Sequence, residues 1–230
     1  MSRVLKEHHV RRAEILEAAW GLFRAHGYDG TTVSAIIDRL GVAKGTFYHY
    51  FTSKEQVLDA VVEQLTTEAC AAVEPGVAEA GVPALVKLNR LLAAMRRWRL
   101  SRRDLLHEVM RVLFRDENII IRHKIQTRNA ARTVPLLARI IREGVEQGVF
   151  HVADPDESAA AVTAISEFYG TRNARTLIEA PDPRAALATI RRGVAAAYDA
   201  IERIIGAPAG SLEPPDEAVL EGIVAGAPPA

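Results

Sequence analysis

A single cysteine, Cys70, stands in 230 residues. It leaves no internal disulfide framework and no cysteine cluster for zinc, so a buried, inert thiol is expected. An excess of either charge is also missing: 29 basic residues face 29 acidic ones. Bulk charge therefore announces no nucleic-acid partner, and any DNA-facing field has to come from local distribution. No uninterrupted apolar run is long enough to cross a bilayer. Met1–Val10 carries Arg3, Lys6, Glu7, His8 and His9 where a leader would be apolar. No membrane partner and a cytoplasmic location are the expectations.

Catalytic signatures are missing as well. His107 with Glu108, or Arg122 with His123, can be drawn as an acid–base pair, but no nucleophile elbow, phosphate-cradling glycine loop or HExxH pair accompanies them. His107, His123 and His151 lack ligand spacing with one another, so no metal and no cofactor are expected. No segment alternates with a strand period over several residues. The expected fold class is all-α, a three-helix domain with a helix-turn-helix plus a larger helical domain.

What the chain does have is concentrated in TTVSAIIDRLGVAKGTFYHYFTSK, from Thr31 to Lys54. Val33, Ile36, Ile37 and Leu40 share one helical face, and Gly41 offers the left-handed conformation that ends the helix. Val42 plugs the turn. Lys44, Gly45 and Thr46 then open a short second helix, with Phe47 inward and Tyr48, His49 and Tyr50 leaving it on the outer side. A helix entering a major groove needs a small residue for close approach and short donors in its first turn. Gly45 and Thr46 meet that need. Gly costs about 1 kcal/mol against Ala in a helix, so its presence points to something approaching the backbone. Three polar-tipped rings in succession suit phosphates, thymine methyls and base edges better than a core. The next helix opens with Thr52 or Ser53 as cap and Glu55 or Gln56 as reciprocal partner. Lys54, at that helix's positive end, is placed to pair with a phosphate.

These residues, with the preceding ILEAAWGLFRAHGYDGT and the following EQVLDAV, closely resemble the amino-terminal domain of the tetracycline-repressor (TetR) family of bacterial transcriptional regulators. The resemblance covers about the first quarter of the chain. It implies DNA contacts from Thr31, Thr32, Lys44, Gly45, Thr46, Tyr48, His49, Tyr50 and Lys54. Ala43 departs from the family's frequent Ser at the recognition-helix cap, losing about 1 kcal/mol of capping.

Around this stretch a first helix is expected from about His9 to His26, stopping at Gly27, with Ile15, Ala19, Leu22 and Phe23 on its inner face. Arg3, Lys6, Arg11 and Arg12 form a basic arm ahead of it, read either as a solvated, disordered start or as a minor-groove contact. From Glu55 the spacing of Val57, Leu58, Val61, Val62 and Leu65 continues a helix that Pro75-Gly76 should end. Because it begins at Lys54 and runs into the regulatory half, its tilt can carry a change from one end to the other. The division reads as 1–54 DNA-binding, 55–206 regulatory and dimerising, and 207–230 a disordered tail, since Pro208, Pro214, Pro215, Pro228 and Pro229 among Ala and Gly bury little.

In the regulatory half, Pro83 opens a helix that ends in MRRWRLSRRD, where Arg96, Arg97, Arg99, Arg102 and Arg103 surround Trp98. This cluster is either a solvated helix end or an anion site. Ser101 with Asp104 starts the next helix. A long helical stretch from Asn118 to Gly148 follows, with Pro135 as a break or kink. Asp154-Pro155 and Asp182-Pro183 each supply a cap and a first-turn proline. The two helices they open are rich in small residues, which permit close helix approach. By the resemblance they form a homodimer's four-helix bundle, through Ala161, Ala164, Ile165, Phe168, Ile190, Val194, Ala197, Tyr198 and Ile201. A small-molecule effector is expected among Leu88, Leu92, Met95, Trp98, His107, Met110, Phe114, Ile121 and Ile125, where adaptable Met beside aromatic rings suits an apolar ligand. Together these features imply a ligand-responsive regulator that binds pseudo-palindromic operator DNA. The alternative is an all-α interaction module that borrows the fold, which predicts a degraded recognition helix; here that helix is intact.

Overall fold

The structure, a computed structural model, describes residues 3–115, 118–180 and 182–225. Every regular element among them is a helix. The chain divides into two compact units, Met1–Thr66 and Thr67–Ala230. The division falls inside a helix and later than the expected boundary at residue 54.

The first unit holds α1 (Arg3–Gly30), α2 (Val33–Leu40), α3 (Lys44–Tyr50) and the start of α4 (Lys54–Ala78). Helical backbone begins at Arg3, so the expected disordered start is helical from there. The side chains of Arg3 and Lys6 lie outside the described residues. Arg11 pairs with Glu14 at 2.6 Å, and the Arg12 guanidinium stacks 5.2 Å from the Phe51 ring centroid. Two of the four arm cations are thus engaged within the unit. Gly27 leaves the helical region at φ 72, ψ 166, and the chain resumes helix to Gly30, so α1 is two helices across a kink. Ile15, Ala19, Phe23, Ile36, Phe47, Val57 and Leu58 close the core.

The second unit takes the rest of α4, then α5 (Ala84–Ser101), α6 (Arg103–Leu113), α7 (Ile119–Glu146), α8 (Pro155–Glu179), α9 (Pro183–Ile205) and α10 (Glu217–Ala225). Pro75 does not end α4, which runs to Ala78. It sits exposed near the helix end, where water can take the carbonyl that loses its N–H partner. Pro135 likewise lies inside α7 with its side chain exposed. The Asp154 carboxylate accepts from the Asp156 and Glu157 amides, and Asp182 accepts from Ala185, each followed by proline at the first turn. Gly206 ends α9 at φ 62, and a Cβ there would stand 2.5 Å from the His151 carbonyl oxygen.

A tight apolar cluster joins Leu88 of α5, Leu137, Ala138, Ile140 and Ile141 of α7, Phe150 of the α7–α8 connection, Ala159 and Val162 of α8, and Ile201 and Ile205 of α9. Polar contacts fix the helix registers around it. The Ala84 amide donates to Gln147 at 2.8 Å and Lys87 meets Glu143 at 2.5 Å, so α5 and α7 run antiparallel. Arg142 with Asp156 and Gln126 with Thr171 do the same for α7 and α8.

The expected disordered tail is folded through residue 225. Glu202, buried on α9, accepts from the Gly210 and Leu212 amides. Asn89 of α5 donates to the Ser211 carbonyl and accepts from the Glu213 amide. Leu212 then joins the main core, and Leu220 and Val224 of α10 pack on Ala186 and Ile190 of α9. Proline-rich chain becomes ordered here because polar side chains on α5 and α9, Asn89 half-buried and Glu202 buried, satisfy its backbone. The remainder of the tail call, 226–230, lies outside the described residues.

Candidate nucleic-acid interface

Thr32 caps α2, its hydroxyl accepting from the Ala35 amide at 3.0 Å. Gly41 ends that helix in the left-handed conformation, φ 64, and its amide reaches Asp38 and Ile37. Val42 closes the turn with its amide on the Ile37 carbonyl, and α3 opens at Ala43 without a side-chain cap, as its methyl dictates. Phe47 is wholly buried and pins α3 by its inner face. Lys44, Gly45, Tyr48 and His49 are exposed, while Thr46 and Tyr50 are half-buried. Nothing lies within 4 Å of where a Gly45 Cβ would stand, and its φ is ordinary. The fold itself therefore does not require glycine at 45, which is what a surface kept low for close approach looks like.

The rings on this face are ordered by one another. Tyr50 lies 4.6 Å from His8 and 5.1 Å from His49, centroid to centroid, and Lys44 Nζ stands 5.8 Å from the Tyr48 ring. His8 was not among the expected contacts. Its partners are more than forty positions away, so nothing local in the sequence signals it.

Two expected contact residues are committed elsewhere. Thr31 is buried, and its hydroxyl donates to the Gly27 carbonyl at 2.8 Å, tying the kink of α1 to the entry of α2. Its role is positional, because a buried and bonded hydroxyl has nothing to offer a phosphate. Lys54 donates to the Tyr28 carbonyl at 2.8 Å with Nζ 4.1 Å from the centroid of the same ring. Burial lowers its pKa, with Glu55 working the other way. The ammonium keeps further N–H donors after that bond, so it staples α4 to α1 and still presents charge at the amino end of α4. Of the two capping registers, Ser53 with Gln56 is the one formed: Ser53 Oγ accepts from the Gln56 amide and Gln56 Oε1 from the Thr52 amide. Tyr28, also missed, is pushed up in pKa by burial and by Glu55, whose own carboxyl is held down chiefly by the Ser53 hydroxyl.

The regulatory residues divide in a similar way. Leu88 and Ile125 are plain core and His107 is buried, whereas Leu92, Met95, Trp98, Met110 and Phe114 are only partly covered. Phe114 carries the Arg122 guanidinium at 5.1 Å. The Ile121 side chain lies outside the described residues. Among the expected interface residues, Ala161, Ala164 and Phe168 are open, Phe168 at 61%. Ile165, Val194 and Tyr198 are half-buried. Ile190, Ala197 and Ile201 are buried within their own chain, Ile190 beneath α10 and Ile201 in the main core. These three cannot meet a partner, because intrachain packing already uses their apolar surface.

A capped helix, a left-handed glycine turn and a second helix that buries one ring while presenting exposed polar rings and a lysine define a helix-turn-helix DNA-binding protein. The chain belongs to the TetR family of bacterial transcriptional regulators: residues 15–61 match its DNA-binding domain, described as "bacterial regulatory proteins, tetR family", and residues 85–191 match the "tetracyclin repressor-like, C-terminal domain". It is similar to the transcriptional repressor KstR2 of Mycobacterium tuberculosis, 42% identical over 59 residues, 26% of this chain and 30% of that protein. The match to KstR2 thus spans under a third of that relative's length. A TetR-family regulator from Pectobacterium atrosepticum shares the fold with TM-score 0.64 at 22% identity, over 90% of this chain and all of that one. So does SmeT of Stenotrophomonas maltophilia in complex with triclosan, TM-score 0.62 at 22% identity, over 90% and 97%.

Proposed function

We propose that the protein is a homodimeric, ligand-responsive repressor, released from a pseudo-palindromic operator when a small molecule fills its regulatory unit. The observation that carries the DNA-binding part is the state of α3: Phe47 is spent on the core while Lys44, Gly45, Tyr48 and His49 stay exposed around an open backbone. In this reading Thr32, Lys44, Thr46, Tyr48 and Tyr50 position the helix on phosphates, and His49 reads a base edge. Dimerisation uses the open alanine face of α8 and α9, which includes Ala161, Ala164, Phe168, Ala195 and Ala196.

An effector fits the partly covered residues Leu92, Met95, Trp98, Met110 and Phe114, which leave apolar surface unspent. SmeT, of like fold, holds triclosan. Ligand binding would act on α4, whose residues are shared between the units, and by linkage a ligand that releases DNA binds the DNA-free conformation more tightly. Selection from a randomised duplex library tests the reading. The expected product is an inverted repeat whose half-site centres lie about one duplex turn, or a modest multiple, apart. Enrichment of no sequence, or of a single asymmetric site, would overturn it.

A further inference from the structure

The recognition helix α3 has seven residues, and its last turn carries His49 and Tyr50. Phe47 and Phe51 are buried and fix its inner side. They hold the helix in place, but an outward side chain in the last turn of so short a helix is ordinarily free to change rotamer. His49 is restrained by other means. Its ring lies 5.1 Å from that of Tyr50 at 88° and 5.9 Å from that of His8 at 77°, and His8 lies 4.6 Å from Tyr50 at 45°. Each spacing falls in the range where aromatic rings attract, about 4.5–7 Å between centroids. The three rings close a triangle, and one of its corners comes from α1.

Position 8 belongs to a packed helix contact. Four residues further along α1, on the same face, the Arg12 guanidinium stands 5.2 Å from the Phe51 centroid. Consecutive turns of α1 thus cover the end of α3 twice, Arg12 on a buried ring and His8 on the outward ones. His8 and His49 both stay exposed, so the cluster lies on the surface proposed to meet DNA and not in the core. A base edge is read only when donor and acceptor arrive in a fixed direction, because hydrogen bonds weaken steeply off axis. A ring already held in that direction spares binding the cost of freezing its rotamer.

We infer that His8 is a positioning residue for base recognition: from α1, outside the helix-turn-helix, it holds the His49 imidazole in its reading orientation through the three-ring cluster. This rests on the reading of His49 as the residue that meets a base edge. It adds α1 to the elements that set operator choice.

The test applies selection from a randomised duplex library to the full chain and to its His8→Ala, His8→Phe, His49→Ala and His8→Ala/His49→Ala variants. His49→Ala marks the base pair read from position 49. His8→Ala is expected to weaken the preference at that same base pair, and at no other, by roughly three- to tenfold, the size of one or two lost ring contacts. His8→Phe keeps a ring without its nitrogens and should restore most of the preference. The double variant should select no worse than His49→Ala alone, because a residue that acts through His49 then has nothing to position. In the free protein, the His49 ring-proton resonances should move toward those of an exposed imidazole in His8→Ala and stay displaced in His8→Phe. An even loss at every base pair, a change at a different base pair, His8→Phe behaving like His8→Ala, additive losses in the double variant, or His49 resonances that do not move would each overturn the inference. If His49→Ala selects the parent's sequence, the base-reading role of His49 fails and this inference falls with it. If His49→Ala changes the selected sequence and His8→Ala does not, this inference alone is removed.

Discussion

Tyr48 and Lys54 were both expected to touch DNA, and their surroundings now separate them. Tyr48 is exposed, and its ring contacts are Phe47 beneath it and Lys44 beside it. Lys54 is bonded to the Tyr28 carbonyl and ring. Tyr48→Ala should therefore lower operator affinity with no change in thermal unfolding. Lys54→Ala should lower both, with a stability loss of about 1–2 kcal/mol for a charged hydrogen bond and a cation–π contact. It should also reduce the salt slope of binding by about one if the remaining donors meet a phosphate. Anisotropy titrations at several salt concentrations beside melting curves check both variants, and an unchanged slope would leave Lys54 with only its intramolecular role. His49→Asn should change which operators are preferred in the duplex selection; a uniform loss would make His49 a positioning contact.

At the scale of the element, Lys87 and Glu143 tie α5 to α7 with Lys87 almost wholly buried. The Glu143 carboxyl is held below its usual range, first by the hydrogen bond from Lys87, with Arg139 adding to it and burial opposing. A carboxyl depressed in the folded state contributes stability that is complete above its unfolded pKa, about 4.3, and is lost as pH falls through the folded value. Stability should thus decline from about pH 5 downward, and the decline should be shallower in Lys87→Met. That variant should also cost about 2 kcal/mol at neutral pH, below the usual figure for a broken buried pair because Glu143 retains Arg139 and some water. Urea midpoints measured across pH read both effects. Glu202→Gln leaves an acceptor for only one of the two amides that Glu202 serves, so it should loosen 207–225 and raise amide exchange there while α7 and α8 stay protected. Elements of this kind explain what the sequence shows and what it conceals. The caps at Asp154 and Asp182, the turn at Gly41 and the inner face of α3 depend on neighbours within a few positions, and all are legible. Glu202, Asn89 and Lys54 act across long sequence separations. The order of the tail and the commitment of Thr31 and Lys54 therefore emerge only when the helices are packed.

For the whole molecule, the proposed dimer places the surface that stays open on α8 and α9 between the two subunits that would meet DNA. Ala164 and Ala196 are exposed on helices whose larger apolar residues, Val162, Ile190 and Ile201, are already used inside the chain. What remains is a shallow alanine face with Phe168 standing from it, suited to another helix pair at close range. Ala164→Arg and Ala196→Glu each leave the monomer's core untouched, yet each forces an unpaired charge into any interface built on this face. Sedimentation should show separated subunits with unchanged helical content. Separated subunits lose the effective concentration that links two half-sites, so operator affinity should fall by roughly a hundredfold or more. The salt slope should drop to about half, because each monomer carries only its own phosphate contacts. If affinity falls with the full slope retained, the loss lies in the recognition helices and not in subunit separation, and if both variants sediment as intact dimers the interface lies on another face.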